Sequence, residues 1–335
     1  MLQEKFRADC VSRLLIGVVC AAMLVVIPAR GAAMDVSGFP IKPIRIVIGF
    51  TPGGVPDITA RLIAQKLTES WKQQVVVDNR TGAGGTIAAN IVAKANPDGH
   101  TLLSVSSAHA VAPAIYAKLP YDTLKDLAGI TLTANGPALL LVSPMLGVKS
   151  TKELIALAKA KPGQFNFSSA GVGSGTHFAA ELFKSMAGID VAHVPFKGIP
   201  EAITETMTGR VQFFLSPLAS AITLVKEGRA LAIGVTSSQR LSLLPDIPTV
   251  AESGLPGYRW DFWYGMLAPA KTPGDIIVRL NGEITRILKL PDVRQRWSAL
   301  GAEAAPSTPE QFNKLIAEEI STNTKLARAA NIKAD

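Results

Sequence analysis

Along most of the chain, short apolar runs give way to glycine-rich turns and then to apolar residues at helical spacing. Residues 45–50 read as a buried strand, and Thr51-Pro52-Gly53-Gly54 reads as a turn. Ile58, Leu62, Ile63 and Leu67 then predict a helix starting near Asp57. The pattern repeats: a strand over 75–78, the loop Thr81-Gly82-Ala83-Gly84-Gly85, a helix over 86–95, and a strand over 101–105 after the turn Pro97-Asp98-Gly99. A second set begins with a strand over 139–142 and a helix over 151–160. A strand over 166–169 leads through Gly171-Val172-Gly173-Ser174-Gly175 into a helix over 176–186. Further strands are predicted over 193–196, 212–215 and 231–235. Residues 244–257 are rich in Pro and Gly, and helices follow near 273–288, 292–300 and 309–326.

Strand, glycine loop and helix in repeated order predict parallel βαβ units, hence an α/β protein. Two such units fit in the chain, and the C-terminal helices need a surface to cover, which the first unit supplies. The chain then crosses between units twice, near residues 138–142 and 250–262. The expected lobes are 34–138 plus 255–335, and 139–254. Two lobes with two crossings enclose a cleft that can hinge shut on a ligand.

The first 33 residues change the setting. Lys5, Arg7 and Arg13 precede an unbroken apolar run over 14–27, followed by Pro28-Ala29-Arg30-Gly31-Ala32-Ala33. This is the layout of a secretory signal peptide with cleavage before Met34, and the run is shorter than the ~20 apolar residues that span a bilayer. Export to the periplasm removes ATP, NAD and nucleic acid from the expected partners. Both cysteines, Cys10 and Cys20, fall inside this segment, so the mature chain carries no disulfide framework or thiol chemistry. The net charge of +8 falls to +6 on cleavage, without Lys/Arg clusters or the marks of a nucleic-acid binder. A basic balance suits a small anionic ligand and equally suits plain solubility.

Candidate chemistry gathers at the glycine loops. Gly53-Gly54 lies between a strand end and a helix start, where unpaired amides hold an anion; a tight turn capped by Asp57 explains the same residues. The loop from Gly171 to Thr176 repeats the arrangement, with hydroxyls from Ser168, Ser169, Ser174 and Thr176. Facing loops of this kind grip a carboxylate without an arginine. No P-loop, dinucleotide fingerprint, nucleophile elbow or H-E-x-x-H motif is present. No catalytic residue, metal or cofactor is therefore expected. His109 and His177 sit beside the loops, as ligand contacts or as packed side chains. Trp260, Phe262, Trp263 and Tyr264 cluster at the second crossing, lining the cleft or filling the core.

Taken together, these segments resemble the substrate-binding receptors of tripartite tricarboxylate transporters, the Bug receptor family, along essentially the whole mature chain. The resemblance is carried by Gly49 through Asp57 with Ala60-Arg61, by Val76 through Gly85, and by Ser168 through Glu181. It continues in His193-Val194-Pro195-Phe196-Lys197-Gly198, in Leu244 through Glu252, and in Trp263-Tyr264-Gly265. It implies a two-lobed, type II periplasmic-binding-protein (Venus flytrap) fold. The implied activity is a monomeric binder that captures a small carboxylate and hands it to integral-membrane transporter subunits. The implied ligand contacts are Phe50, Thr51, Gly53, Gly54 and Asp57, then Ser106, Ser107 and His109, then Ser169, Gly171, Gly175 and Thr176. Ser216 and Phe262 complete the candidate set. Pro56 stands where the family often has Thr or Ser, and Phe262 where a small hydroxyl residue is frequent. Ile199 replaces a common Gly, and Asp78 a common Glu. Pro56 and Phe262 together imply an aromatic or partly apolar carboxylate. Two other classes stay open at this point: a sensor subunit, and a secreted α/β enzyme using Asp57 or His109 as a base.

Overall fold

A computed structural model describes residues 38–299, 301–329 and 331–334. The expected signal peptide, its cleavage point and both cysteines lie outside the described residues. Among the described residues no helix is long and apolar enough to cross a membrane.

The first half of the fold is a parallel β-sheet with crossover helices. Strand β1 (Ile44–Ile48) is buried almost throughout, as a central parallel strand covered on both faces must be. It leads into α1 (Val55–Trp71), β2 (Val75–Asn79), α2 (Thr86–Ala93), β3 (Thr101–Ser106) and α3 (Ala108–Ile115). The parallel order is β2-β1-β3. Helix α1 turns its Ala60, Ile63, Ala64 and Leu67 stripe inward. The long strand β4 (Leu127–Val142) and helix α4 (Thr151–Ala160) follow.

The second half repeats the first: β5 (Phe165–Ser169), α5 (Gly175–Ala187), β6 (Val191–Pro195), α6 (Ile199–Met207), β7 (Phe213–Pro217) and α7 (Leu218–Lys226), with parallel order β6-β5-β7. Then come β8 (Leu231–Val235), β9 (Asp261–Pro269), α8 (Gly274–Leu288), α9 (Pro291–Ala299), the short β10 (Glu303–Ala304) and α10 (Pro309–Ala329). The C-terminal helices return to the first half. Phe312 of α10 meets Trp263 edge-on at 5.6 Å, and its ring lies where a side chain at Gly265 would stand.

The halves meet at two crossings. Up to Pro137, β4 pairs with β9; from Ala138 onward it pairs with β7 and β8. The second passage runs into β9 beside it, and Thr236 ties the two together. Its Oγ1 accepts from the Ala138 amide at 2.7 Å and donates to the Trp260 carbonyl at 2.5 Å. Its own amide donates to Ala138 O at 3.0 Å, and its carbonyl accepts from Trp260 N at 3.3 Å.

Several elements differ from the sequence expectation. Strand β4 is 16 residues long where only 139–142 stood out, because Gly129, Gly136 and Pro137 break the apolar pattern and its pairing with β9 shifts register twice. Helices α3, α6 and α7 were not expected. Pro113 sits inside α3, and six of its eight residues are buried, leaving no polar stripe to reveal helical period. Pro200 opens α6, where a missing amide costs nothing. Helix α1 begins at Val55, two residues before Asp57.

Replacing Thr236 with valine keeps the shape and removes the hydroxyl. It leaves the buried Ala138 amide without its acceptor, at a cost of about 1–3 kcal/mol. The expected outcome is a lower midpoint in urea unfolding, and an unchanged midpoint refutes the tie.

Candidate functional site

A cavity with about 420 Å³ of empty space, part of it open to solvent, lies between the two halves. The first half contributes Phe50, Thr51, Gly54, Pro56, Ser106, Phe262 and Tyr264. The second contributes Ala170, Ser174, Gly175, Thr176, Gly198, Ile199 and Pro217. None of these side chains is charged. Outside it, a wider mouth of about 770 Å³ is lined by Thr81 through Gly84, Tyr116, Gly171, Val172, Phe196 and Lys197.

The backbone supplies the polarity. Helices α1, α2, α3, α5, α6 and α7 each start just after a parallel strand ends, so their N-termini gather around the cavity and its mouth. Each such end carries unpaired amides and about half a positive charge. At α5, Ser174 is the N-cap and accepts from the His177 amide at 3.2 Å. The Gly173 amide donates to His177 Nδ1 and the Ala170 amide to Thr176 Oγ1. Gly175 and Thr176, the first two helical residues, have no acceptor within the helix and border the cavity.

The expected site residues divide into two sets. Phe50, Thr51, Gly54, Ser106, Gly175, Thr176 and Phe262 line the cavity, and Gly171 lines its mouth. Asp57 stands behind the wall and is 3% exposed. One of its oxygens accepts from the Gly53 amide at 3.1 Å, the other from Asn79 Nδ2 at 3.0 Å, and Arg61 Nε reaches both. Asn79 also donates to the Phe50 carbonyl at 3.0 Å. The set clamps the loop from Phe50 to Gly54, and the Gly53 amide is already used. Burial works against the charged carboxyl of Asp57, yet Arg61, the Gly53 amide and Asn79 together hold it below the usual carboxylate range.

Ser169 is also a supporting residue. Its Oγ accepts from the Gly171 amide at 3.1 Å and lies 2.6 Å from His193 Nε2. His193 stacks on His177 at 3.9 Å and on Phe167 at 4.9 Å. Burial, then the neighbouring His177 and Lys184, push His193 down to about 3, so the stack is neutral on that side. Ser216 is buried on β7 with its hydroxyl on the Pro217 carbonyl. His109 borders a smaller pocket behind Phe50, its Nε2 without a partner, and burial pushes it down to about 4. The Ser107 hydroxyl has no partner either and faces Gly175.

Pro56, Ala170, Ser174, Gly198, Ile199, Pro217 and Tyr264 line the cavity and were outside the expected contacts, although Pro56 was read as shaping the pocket, Ser174 as a hydroxyl of the second loop and Tyr264 as one of the aromatics that line the cleft or fill the core. Gly198-Ile199 carried a trace, as a helix start after a strand. Pro217 carried none. Among the described residues no group of three or more His, Cys, Asp or Glu is placed to hold a metal ion.

A family model described as the tripartite tricarboxylate transporter family receptor matches residues 59–332. The protein BugT of Bordetella pertussis is 34% identical over 317 residues, covering 93% of this chain and 97% of that protein. Among solved structures, Rpa4515 of R. palustris with adipate is 33% identical, with a TM-score of 0.84 over 88% of this chain and 99% of that one. MatC from Rhodopseudomonas palustris with bound malate is 34% identical, with a TM-score of 0.80 over 86% of this chain and 99% of that one.

The buried groups fix a pH response. A carboxyl held low in the fold, as at Asp57, adds stability that is present above its ordinary pKa and lost as the pH falls through the folded one. Imidazoles held low, as at His193 and His109, add stability that is full above about 6.5 and declines as the pH drops toward the folded values. Urea midpoints measured from pH 7 to pH 3 should fall in two stages. His193→Gln should flatten the decline that runs from about pH 6.5 down toward 3, and Asp57→Asn the further loss that sets in below about pH 4. Identical slopes in the variants and the parent refute both assignments.

Proposed function

The chain belongs to the tripartite tricarboxylate transporter receptor family, and on that premise we propose that it is a periplasmic solute-binding protein. It is exported by a cleaved signal peptide over residues 1–33. It captures a small carboxylate in the cleft between lobes 34–138 plus 255–335 and 139–254, and delivers it to the membrane subunits of a transporter. It works as a monomer and performs no chemistry on the ligand. Binding proceeds by closure: an open form samples a closed one, and a ligand that touches both lobes stabilises the closed one.

The observation that carries this reading is the cavity itself. It has no charged side chain, and helix N-termini from both halves converge on it. One carboxylate there receives charge-assisted hydrogen bonds from amides already fixed in place. The relatives solved with adipate and malate support the ligand class. Missing catalytic motifs disfavour an enzyme, although a triad is recognised by geometry rather than motif.

Within that class, Phe50, Pro56, Ile199, Pro217 and Phe262 on the walls favour an acid with an aromatic or otherwise apolar body. A second carboxylate inside the cavity loses its hydration with no cation beside it, which is costly.

Thermal denaturation of the exported protein against benzoate, phenylacetate, malate, citrate, amino acids and sugars tests both levels. A ligand at a hundred times its Kd adds about 2.7 kcal/mol, enough for a clear shift in Tm. Stabilisation by the apolar monocarboxylates and none by citrate is expected. Tight citrate binding with no effect of benzoate or phenylacetate overturns the apolar class. No shift with any carboxylate overturns the binder.

A further inference from the structure

Two glycines at the cavity have no backbone reason to be glycine. Gly198, the N-cap of α6, has φ −173°, an extended conformation open to any residue. Gly175 opens α5 with ordinary helical geometry. What each lacks is room. A Cβ on Gly198 would stand 2.2 Å from Thr51 Oγ1 and 3.3 Å from Thr51 Cβ. A Cβ on Gly175 would stand 2.6 Å from Ser107 Oγ and 3.1 Å from the Phe262 ring. In both cases the obstructing atoms belong to the opposite half of the fold. A third pair meets nearer the mouth, where a Cβ on Gly84 would stand 3.1 Å from the Val172 carbonyl oxygen.

We propose that Gly198, facing Thr51, is a closure-determining residue: its missing side chain is what lets the two lobes meet over the ligand. The inference rests on the binding-protein reading above. Thr51 borders both the cavity and its mouth, so it forms part of the wall where the outer space joins the inner one. When the lobes part, Thr51 and Gly198 separate and a methyl group at 198 meets nothing. When they close, the methyl overlaps the Thr51 hydroxyl. The methyl therefore acts on the closed state alone, and its cost appears as lost affinity without loss of fold.

Two readouts test this. The first is affinity, by calorimetry with whichever panel carboxylate binds. Gly198→Ala should weaken it about ten- to a hundredfold, the range that overpacking produces, while the melting temperature of the empty protein stays put. Thr51→Ala removes the obstructing hydroxyl, so adding Gly198→Ala to it should cost little further affinity; this rescue separates closure from general damage. The second readout needs no ligand. In the mature chain, which carries no cysteine of its own, an Ala83→Cys, Val172→Cys pair drawn from the two sides of the mouth should be oxidised to a disulfide by oxidised glutathione, which takes up the two electrons, whenever the empty protein closes. Gly198→Ala should slow that trapping about tenfold, and Thr51→Ala should restore it. Trapping that is absent in the parent, or equally fast with Gly198→Ala, overturns the proposal. So does an affinity that Gly198→Ala leaves unchanged. If no carboxylate binds at all, the ligand reading fails by itself and the trapping rates still decide the role of Gly198.

Discussion

The structure depends on one electrostatic constraint. Six helices aim their N-terminal ends at a single cleft, three from each half of the sheet. Each end carries unpaired amides and a partial positive charge, and the proposed closure would bring those ends together while water leaves. Like partial charges in a drying space oppose closure. An anion placed among them reverses the sign of that effect. Under the proposed function, the geometry that makes the empty closed state unfavourable would make an anion-bound closed state favourable, and that difference is what a population shift requires.

Much of the surrounding side-chain chemistry keeps those amides in place. Arg61 would be the obvious partner for a carboxylate ligand, but it is turned onto Asp57 and Asn79. Asp57 in turn takes the Gly53 amide, and Asn79 the Phe50 carbonyl, so the first loop is tied at both ends. In the second half, His177 and His193 fix Gly173 and, through Ser169, Gly171. These groups act through the loops, and the charge of the Asp57–Arg61 pair is spent on itself behind the wall.

The fold was legible in the sequence where period and punctuation agree. The parallel strands read as short apolar runs, and glycine loops marked the turns into α1, α2 and α5. The repeat of that order gave the two α/β units. Helices α3 and α6 escaped because Pro113 with the near-complete burial of α3, and Pro200, hide helical period, whereas α7, whose buried Leu218, Ala221 and Ile222 keep helical spacing, has no such reason. The site was legible only as loops. The family resemblance placed Asp57, Ser169 and His109 near the ligand because they stand in or beside the loops that carry it. Whether a polar side chain faces the cavity or ties the loop from behind depends on which way the backbone turns, and spacing does not carry that. Pro217 reaches the cavity through strand pairing with Ala138, across more than 70 residues, which no local pattern records.

A site whose anion contacts come from the backbone leaves its side chains free for another task. The amides of Gly175 and Thr176 exist whatever residues stand around them, so in the proposed binding mode the wall can vary while the grip on one carboxylate is kept. In this chain the wall is apolar at Pro56, Ile199, Pro217 and Phe262. Proline at 56 removes both a donor and a hydroxyl, and Phe262 fills space with a ring that meets Trp260 edge-on at 6.3 Å. Each of these changes raises the cost of hydrating or ionising a second polar group on the ligand and leaves the first carboxylate untouched. Under the proposed function, discrimination would then arise mainly from what the cavity refuses. An acid with one charge and an apolar body meets donors at one end and dry surface along the rest, whereas a polyanion leaves charge buried without a partner.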